Sequence, residues 1–254
     1  MAETLLCVDK VEMRFGGIVA LHGVSFEAKR GALTSVIGPN GAGKTTLFNC
    51  ITGMYQATSG CVSFNGRNIT SLRPHAIART GIARTFQNIA LFGGLTVLEN
   101  LKVGAYRHGT SGLLEGSIFA PRARRDEKAA ERHAREILDF LMLPDIADKK
   151  PFELPYGVQK QVEFGRALMQ EADLILLDEP MAGMSRGEKD TLVQLIRRIR
   201  STVGLTFLLV EHDMPVIMDI SDHIVVLDFG RKIAEGVPAD IQKNDAVIAA
   251  YLGA

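Results

Sequence analysis

The sequence predicts an α/β fold with a mainly parallel core sheet, an antiparallel β subdomain and an inserted helical subdomain. Three observations carry that prediction. A glycine-rich run, Gly38-Pro39-Asn40-Gly41-Ala42-Gly43-Lys44-Thr45-Thr46, stands between an apolar stretch at 32–37 and a helix-compatible stretch at 46–51 that stops at Gly53. Two further apolar runs, 174–178 and 206–210, lead into carboxylates and are separated by a helical segment at 186–202. That alternation belongs to a parallel sheet with crossover helices. Between about residues 88 and 160 strand signals are few, which marks an insertion in the core.

In chain order, residues 5–11 and 18–27 are β-rich and joined through Arg14-Phe15-Gly16-Gly17, a predicted antiparallel pair. Cys61-Val62-Ser63-Phe64 runs into Asn65-Gly66, a dipeptide that favours a hairpin because both residues tolerate positive φ. The inserted block holds a glycine-rich loop, 104–116, and a charged helix, about 123–142. Ile137, Leu138, Phe140 and Leu141 crowd one side of that helix near its C-terminal end. Residues 224–227 and 232–234 form a predicted hairpin around Phe229-Gly230, and a short helix closes the chain near Tyr251. The expectation is a single domain, 1–254, with a core of about 1–87 and 161–254 and a helical subdomain of about 88–160.

Size and charge narrow the function. A chain of 254 residues buries a sizeable core. Lys plus Arg number 29 and Asp plus Glu 29, so no global field attracts nucleic acid or an anionic membrane. The basic cluster Arg122-Ala123-Arg124-Arg125 is followed at once by Asp126-Glu127 and reads as a solvated helix start. Cys7, Cys50 and Cys61 lack metal-ligand spacing and read as small core residues of a protein in a reducing cytosol. No apolar stretch approaches bilayer-spanning length, and Met1-Ala2-Glu3-Thr4 has no basic leader region, so a chain soluble by itself is expected.

The motif at 38–46 fits G-x-x-x-x-G-K-[ST], a phosphate loop. Its glycines permit tight turns in which successive backbone N–H groups converge on phosphates, and the following helix N-terminus adds partial positive charge. In that arrangement Lys44 reaches the β- and γ-phosphates of a nucleotide, and Thr45 offers its hydroxyl to Mg²⁺. Leu174-Ile175-Leu176-Leu177-Asp178-Glu179-Pro180 delivers two carboxylates at the end of a buried strand, on the sheet edge where the phosphate loop opens. Asp178 is placed to serve Mg²⁺ and Glu179 to polarise a water aimed at the γ-phosphate. The strand 207–210 ends likewise in Glu211-His212-Asp213, which places His212 for a γ-phosphate contact. Asp228-Phe229-Gly230 spells a kinase metal triplet, but there is no H-R-D loop and the context is a hairpin, so it is read as chance.

Together these residues resemble the ATP-binding cassette (ABC) superfamily of transport ATPases, over essentially the whole chain and in the family's motif order. The resemblance implies a P-loop NTPase fold of the ABC nucleotide-binding type, with ATP and Mg²⁺ as cofactors. By position, Phe15 would stack on adenine, Gly38 to Thr46 would bind phosphates, and Thr45, Gln87 and Asp178 would surround the metal. Gln87 would also relay the γ-phosphate's presence to the helical lobe, Glu179 would be general base, and His212 would hold the γ-phosphate. Within the superfamily the chain is similar to the larger ATPase subunit of branched-chain amino acid importers. The segments that suggest it are Ala83-Arg84-Thr85-Phe86-Gln87-Asn88, residues 91–100, the long insert after Val103, Val210-Glu211-His212-Asp213-Met214, and Tyr251-Leu252-Gly253.

Two departures stand out. Where the family signature is Leu-Ser-Gly-Gly-Gln, this chain has Leu154-Pro155-Tyr156-Gly157-Val158. In the family each signature contacts ATP held by the opposing subunit, and Pro155 offers neither hydroxyl nor N–H. Each lost hydrogen bond to a phosphate would weaken that contact by roughly 1.5–3 kcal/mol, on the order of ten- to a hundredfold in affinity. Pro155 is expected at the first helical position, with the helix dipole still aimed at the nucleotide. Ser185 stands where the family usually has an aspartate. The resemblance therefore implies an asymmetric pair: a second, different ATPase subunit, membrane permease subunits, and attachment at the cytoplasmic face of the inner membrane. Neither nucleic acid nor the transported solute is expected to touch this chain. A nucleic-acid or ribosome-acting cassette protein, or a non-hydrolysing structural subunit, are the competing readings.

Overall fold

The computed structural model describes residues 3–85, 89–105 and 121–252. The chain opens with a long hairpin, β1 (Thr4–Phe15) and β2 (Ile18–Lys29), which turns through Gly16 at φ 58°. Strand β3 (Leu33–Ile37) leads through the phosphate loop into helix α1 (Lys44–Ile51). Next come β4 (Ser59–Phe64) and the short β5 (Arg67–Asn68). Their turn has both Asn65 and Gly66 at positive φ, 50° and 73°, as the dipeptide predicts. Strands β2-β1-β4-β5, in that order, form the antiparallel sheet.

Helix α2 (Pro74–Thr80) precedes β6 (Ile82–Arg84), a three-residue strand that the sequence signals miss because it is too short to show a period. The helical block follows with α3 (Val97–Gly104), α4 (Pro121–Phe140) and α5 (Tyr156–Leu168). The core resumes with β7 (Leu174–Asp178), α6 (Arg186–Val203), β8 (Thr206–Val210), α7 (Met214–Ile220), β9 (His223–Asp228) and β10 (Arg231–Gly236). Two short helices, α8 (Pro238–Ile241) and α9 (Asp245–Leu252), end the described chain. The second sheet runs β10-β9-β3-β8-β7-β6, parallel throughout except for the β9–β10 hairpin.

The core follows from strand periodicity. Every residue of β3, β7 and β8 is buried, so alternate side chains must serve opposite faces. Ile175, Leu177, Phe207 and Leu209 join the helical layer with Leu101, Leu138 and Phe164. Leu174, Leu176, Leu208 and Val210 join the opposite layer with Phe48 and the antiparallel sheet's Val8 and Phe64. A third cluster sets Ile37, Ile224 and Val226 against Ile217 and the C-terminal Ile241 and Val247.

Three expectations change. Gly104 ends helix α3 instead of opening a loop: a Cβ there would stand 2.7 Å from Met169 Cβ and against the Arg166 carbonyl, so its glycine serves helix–helix approach. The remainder of the predicted loop, 106–116, lies outside the described residues. Of the cysteines, Cys50 alone is fully buried, and burial lifts its thiol to about 11. Cys7 and Cys61 are half-buried on the antiparallel sheet, where alternation leaves one face open. In α4, Ile137, Leu138 and Leu141 are buried, while Phe140 is only partly covered and lies under the Arg198 guanidinium, 4.5 Å from its ring centre.

Candidate functional site

The site grows from the end of β3. Gly38 and Gly43 hold φ of 151° and 98°, and Gly43 caps α1 from the left-handed region. The loop is clamped from outside, since Gly230 N–H donates to the Ala42 carbonyl at 3.0 Å. Lys44 is buried, and its ammonium donates to the carbonyls of Gly38 and Pro39 at 2.7 and 2.8 Å. Burial lowers its pKa from the ordinary lysine value, and the charges of Glu179 and Asp178 pull it part of the way back. Thr45 is exposed and Thr46 half-buried in the first turn of α1. Asn40 and Gly41 form the exposed rim of the loop, with Ala42 beneath.

Parallel pairing brings the acids to the same edge. Asp178 is the last residue of β7 and pairs with Val210 of β8. It is buried and accepts from Arg84 Nη2 at 2.6 Å through Oδ2. Glu179 follows with φ 46°, a left-handed conformation rare for a residue with a side chain, and its N–H still donates to the Val210 carbonyl at 2.8 Å. The turn aims its carboxylate at the mouth, where Oε2 lies 3.9 Å from His212 Nδ1. His212 itself is largely exposed. Beneath it Glu211, 1% exposed, accepts the Met181 N–H at 2.9 Å and the His212 N–H at 3.0 Å, tying the turn after Glu179 to the end of β8.

Phe15 sits at the β1 turn, 43% exposed, edge-on to Tyr55 with ring centres 5.2 Å apart. Gln87 lies outside the described residues. Among the described residues no hydrogen bond or ion pair joins the signature to the phosphate loop. Leu154 is buried, and Pro155 takes the N-cap of α5 instead of the first helical position. Its ψ of 150° is extended, while its carbonyl accepts the N–H groups of Val158 and Gln159, both at 3.0 Å. Tyr156 Oη donates to the Ala182 carbonyl at 3.2 Å, and Gly157 N–H to Glu188 Oε1 at 3.0 Å. Glu188 also receives the N–H and hydroxyl of Ser185 at 2.8 and 2.7 Å, bonds that lower its pKa.

Sequence reasoning misses Arg84, Tyr55, Glu211 and Glu188 as parts of this constellation. Two of them carry a local signal: Glu188 in the S-x-x-E spacing from Ser185 that marks a helix start, and Glu211 in its place at the end of an apolar run. The oxygen donors present, the Thr45 hydroxyl and the Asp178 carboxylate, suit a hard cation such as Mg²⁺. Among the described residues no cluster of three His, Cys, Asp or Glu could hold a metal by itself.

A phosphate loop and strand-end carboxylates on one edge of a parallel sheet, with an antiparallel sheet and a helical layer attached, define a nucleotide-binding ATPase. The chain belongs to the ABC transporter family, whose profile matches residues 21–182. The profile described as branched-chain amino acid ATP-binding cassette transporter matches residues 231–254. The chain is 44% identical over 253 residues to the high-affinity branched-chain amino acid transport ATP-binding protein BraF of Pseudomonas aeruginosa, covering 100% of this chain and 99% of that one. It is 40% identical to the corresponding LivG of Escherichia coli, with the same coverage. A nucleotide-free crystal structure of an ATP-binding cassette from an ABC transporter superposes with a TM-score of 0.86 at 34% identity, covering 99% of this chain and 100% of that one. A crystal structure of the ADP conformation of an ATP-binding cassette of an ABC transporter gives 0.86 at 34% identity, covering 99% of both chains.

Proposed function

We propose that this chain is the ATP-hydrolysing subunit of an importer for branched-chain or other hydrophobic amino acids, working as a dimer with a second, different ATPase subunit. The observation that carries the proposal is the meeting of Lys44, Asp178, Glu179 and His212 at one sheet edge. The full-length likeness to BraF and LivG supports the substrate class.

In this reading Phe15 stacks on adenine and the N–H groups of 38–46 cradle the phosphates. Lys44 exchanges its two carbonyl partners for phosphate oxygens. Thr45, Asp178 and Gln87 would hold Mg²⁺, which would supply positive charge to offset that of the phosphates. Glu179 accepts a proton from the attacking water, and His212, steadied through Glu211, holds the γ-phosphate. ATP binding closes the dimer, and the helical lobe, about 88–160, transmits the motion to cytoplasmic loops of a permease at the inner membrane. No helix among the described residues is long and apolar enough to cross a membrane, which suits a peripheral subunit.

The partner's ATP site, completed by this chain's signature, is the weaker one. Pro155 brings no hydroxyl, and the Gly157 N–H already serves Glu188. Glu179→Gln in this chain and the matching change in the partner are made separately, and ATPase activity of the assembled complex is measured. Loss of most turnover from Glu179→Gln alone supports the asymmetry. Equal losses from both changes refute it.

A further inference from the structure

We propose that Arg84 is a positioning residue that fixes the gap between the two halves of the magnesium site. Its guanidinium spans two elements at once: Nη2 donates to Asp178 Oδ2 at 2.6 Å, and Nη1 donates to Asn49 Oδ1 at 2.7 Å. Thr52 Oγ1 lies 3.3 Å from the same Nη1. The side chains of Arg84 and Asp178 are only 10% and 7% exposed, so little water competes for the fork. The Phe48 ring lies 5.7 Å from the guanidinium carbon, within reach of a cation–π contact.

Asn49 stands four residues beyond Thr45 on α1, hence on the same helix face. Arg84 therefore ties the face that presents Thr45 to the strand end that presents Asp178. It takes Oδ2, and no described residue hydrogen-bonds Oδ1. A planar guanidinium with donors in fixed directions can set both partners together, which an ammonium cannot. Without it Asp178 would keep a buried carboxylate that has lost its charge-assisted partner, and nothing among the described residues would hold its orientation toward α1. The register holds the fork's base in place: β6 pairs Arg84 with Leu176 of β7, two residues before Asp178.

The inference rests on the assignment of Thr45 and Asp178 to magnesium. Its test is ATP binding by the full-length chain, measured by titration with Mg²⁺ and again with EDTA. Wild type, Arg84→Met and Asn49→Ala are compared, the last leaving the ion pair with Asp178 in place. The affinity gained from Mg²⁺ is expected to shrink about tenfold or more in Arg84→Met, the usual range for losing a partner behind a metal ligand. Asn49→Ala should lose part of the gain, and affinity in EDTA should stay near wild type for both. If Arg84→Met does not yield folded protein, Asn49→Ala decides alone. An undiminished gain in every folded variant, or equal loss with and without Mg²⁺, overturns the role of Arg84. A wild-type chain that binds ATP equally with and without Mg²⁺ refutes instead the magnesium assignment beneath it.

Discussion

Alanine at Gly38 and at Gly41 should have sharply different effects, although both are glycines of one loop. A Cβ on Gly38 would stand 3.0 Å from the Leu227 carbonyl carbon, nearer still to its oxygen, and 3.1 Å from Ala42 Cβ. Leu227 is backbone of β9, held on one side by β3 and on the other by β10, so it cannot yield. The φ of 151° adds a conformational penalty of about 1–3 kcal/mol, and the overlap about 1–3 kcal/mol more. With an immovable neighbour the sum falls near the top, about 4–5 kcal/mol, or roughly 8–20 °C in Tm for a chain of this size. Gly41 has φ 81° but nothing within 4 Å of its missing Cβ. Its substitution should cost about 1 kcal/mol, left-handed strain partly offset by a less flexible unfolded chain. Thermal unfolding of both variants, with and without ATP, measures the difference. A Gly41→Ala protein as destabilised as Gly38→Ala would refute the steric argument.

Two other outcomes follow from the packing and the charges. Phe207, fully buried and stacked on Phe164 with centroids 6.1 Å apart, joins the parallel sheet to helix α5. Phe207→Ala should lower unfolding free energy in urea by about 3–5 kcal/mol and Phe207→Leu by less than about 1.5, and similar values for both would contradict the cavity account. The bond from Lys189 at 2.5 Å holds Asp213 below its usual pKa, so its stabilisation is present above the ordinary aspartate pKa and fades as pH falls through the lower folded value. Asp213→Asn keeps an oxygen for the N-cap of α7, and its Tm should lie below wild type at pH 6–8 and draw closer to it as pH falls below the ordinary aspartate pKa. A constant gap across that range would count against the charge pairing.

What the sequence determined by itself is whatever is encoded within a few neighbouring residues. The phosphate loop needs glycine at 38 and 43 and a cation at 44, so its motif is local and its chemistry legible. The apolar runs before Asp178-Glu179 and Glu211-His212 announce buried strands, because a strand covered on both faces has no polar side to show. Asn65-Gly66 likewise fixes its turn within two residues. Only the tertiary structure decided the contacts made across the sheet. Strand β6 is three residues long and has no period to read, yet parallel pairing with β7 is what carries Arg84 to Asp178, 94 residues away. Glu211 meets the Met181 amide only because β7 and β8 are neighbours, and Gly157 meets Glu188 only because α5 and α6 begin side by side. Side chains that act within their own turn leave a pattern in the sequence. Those whose partners arrive through strand order do not, because packing chooses the neighbour after the local structure is already set.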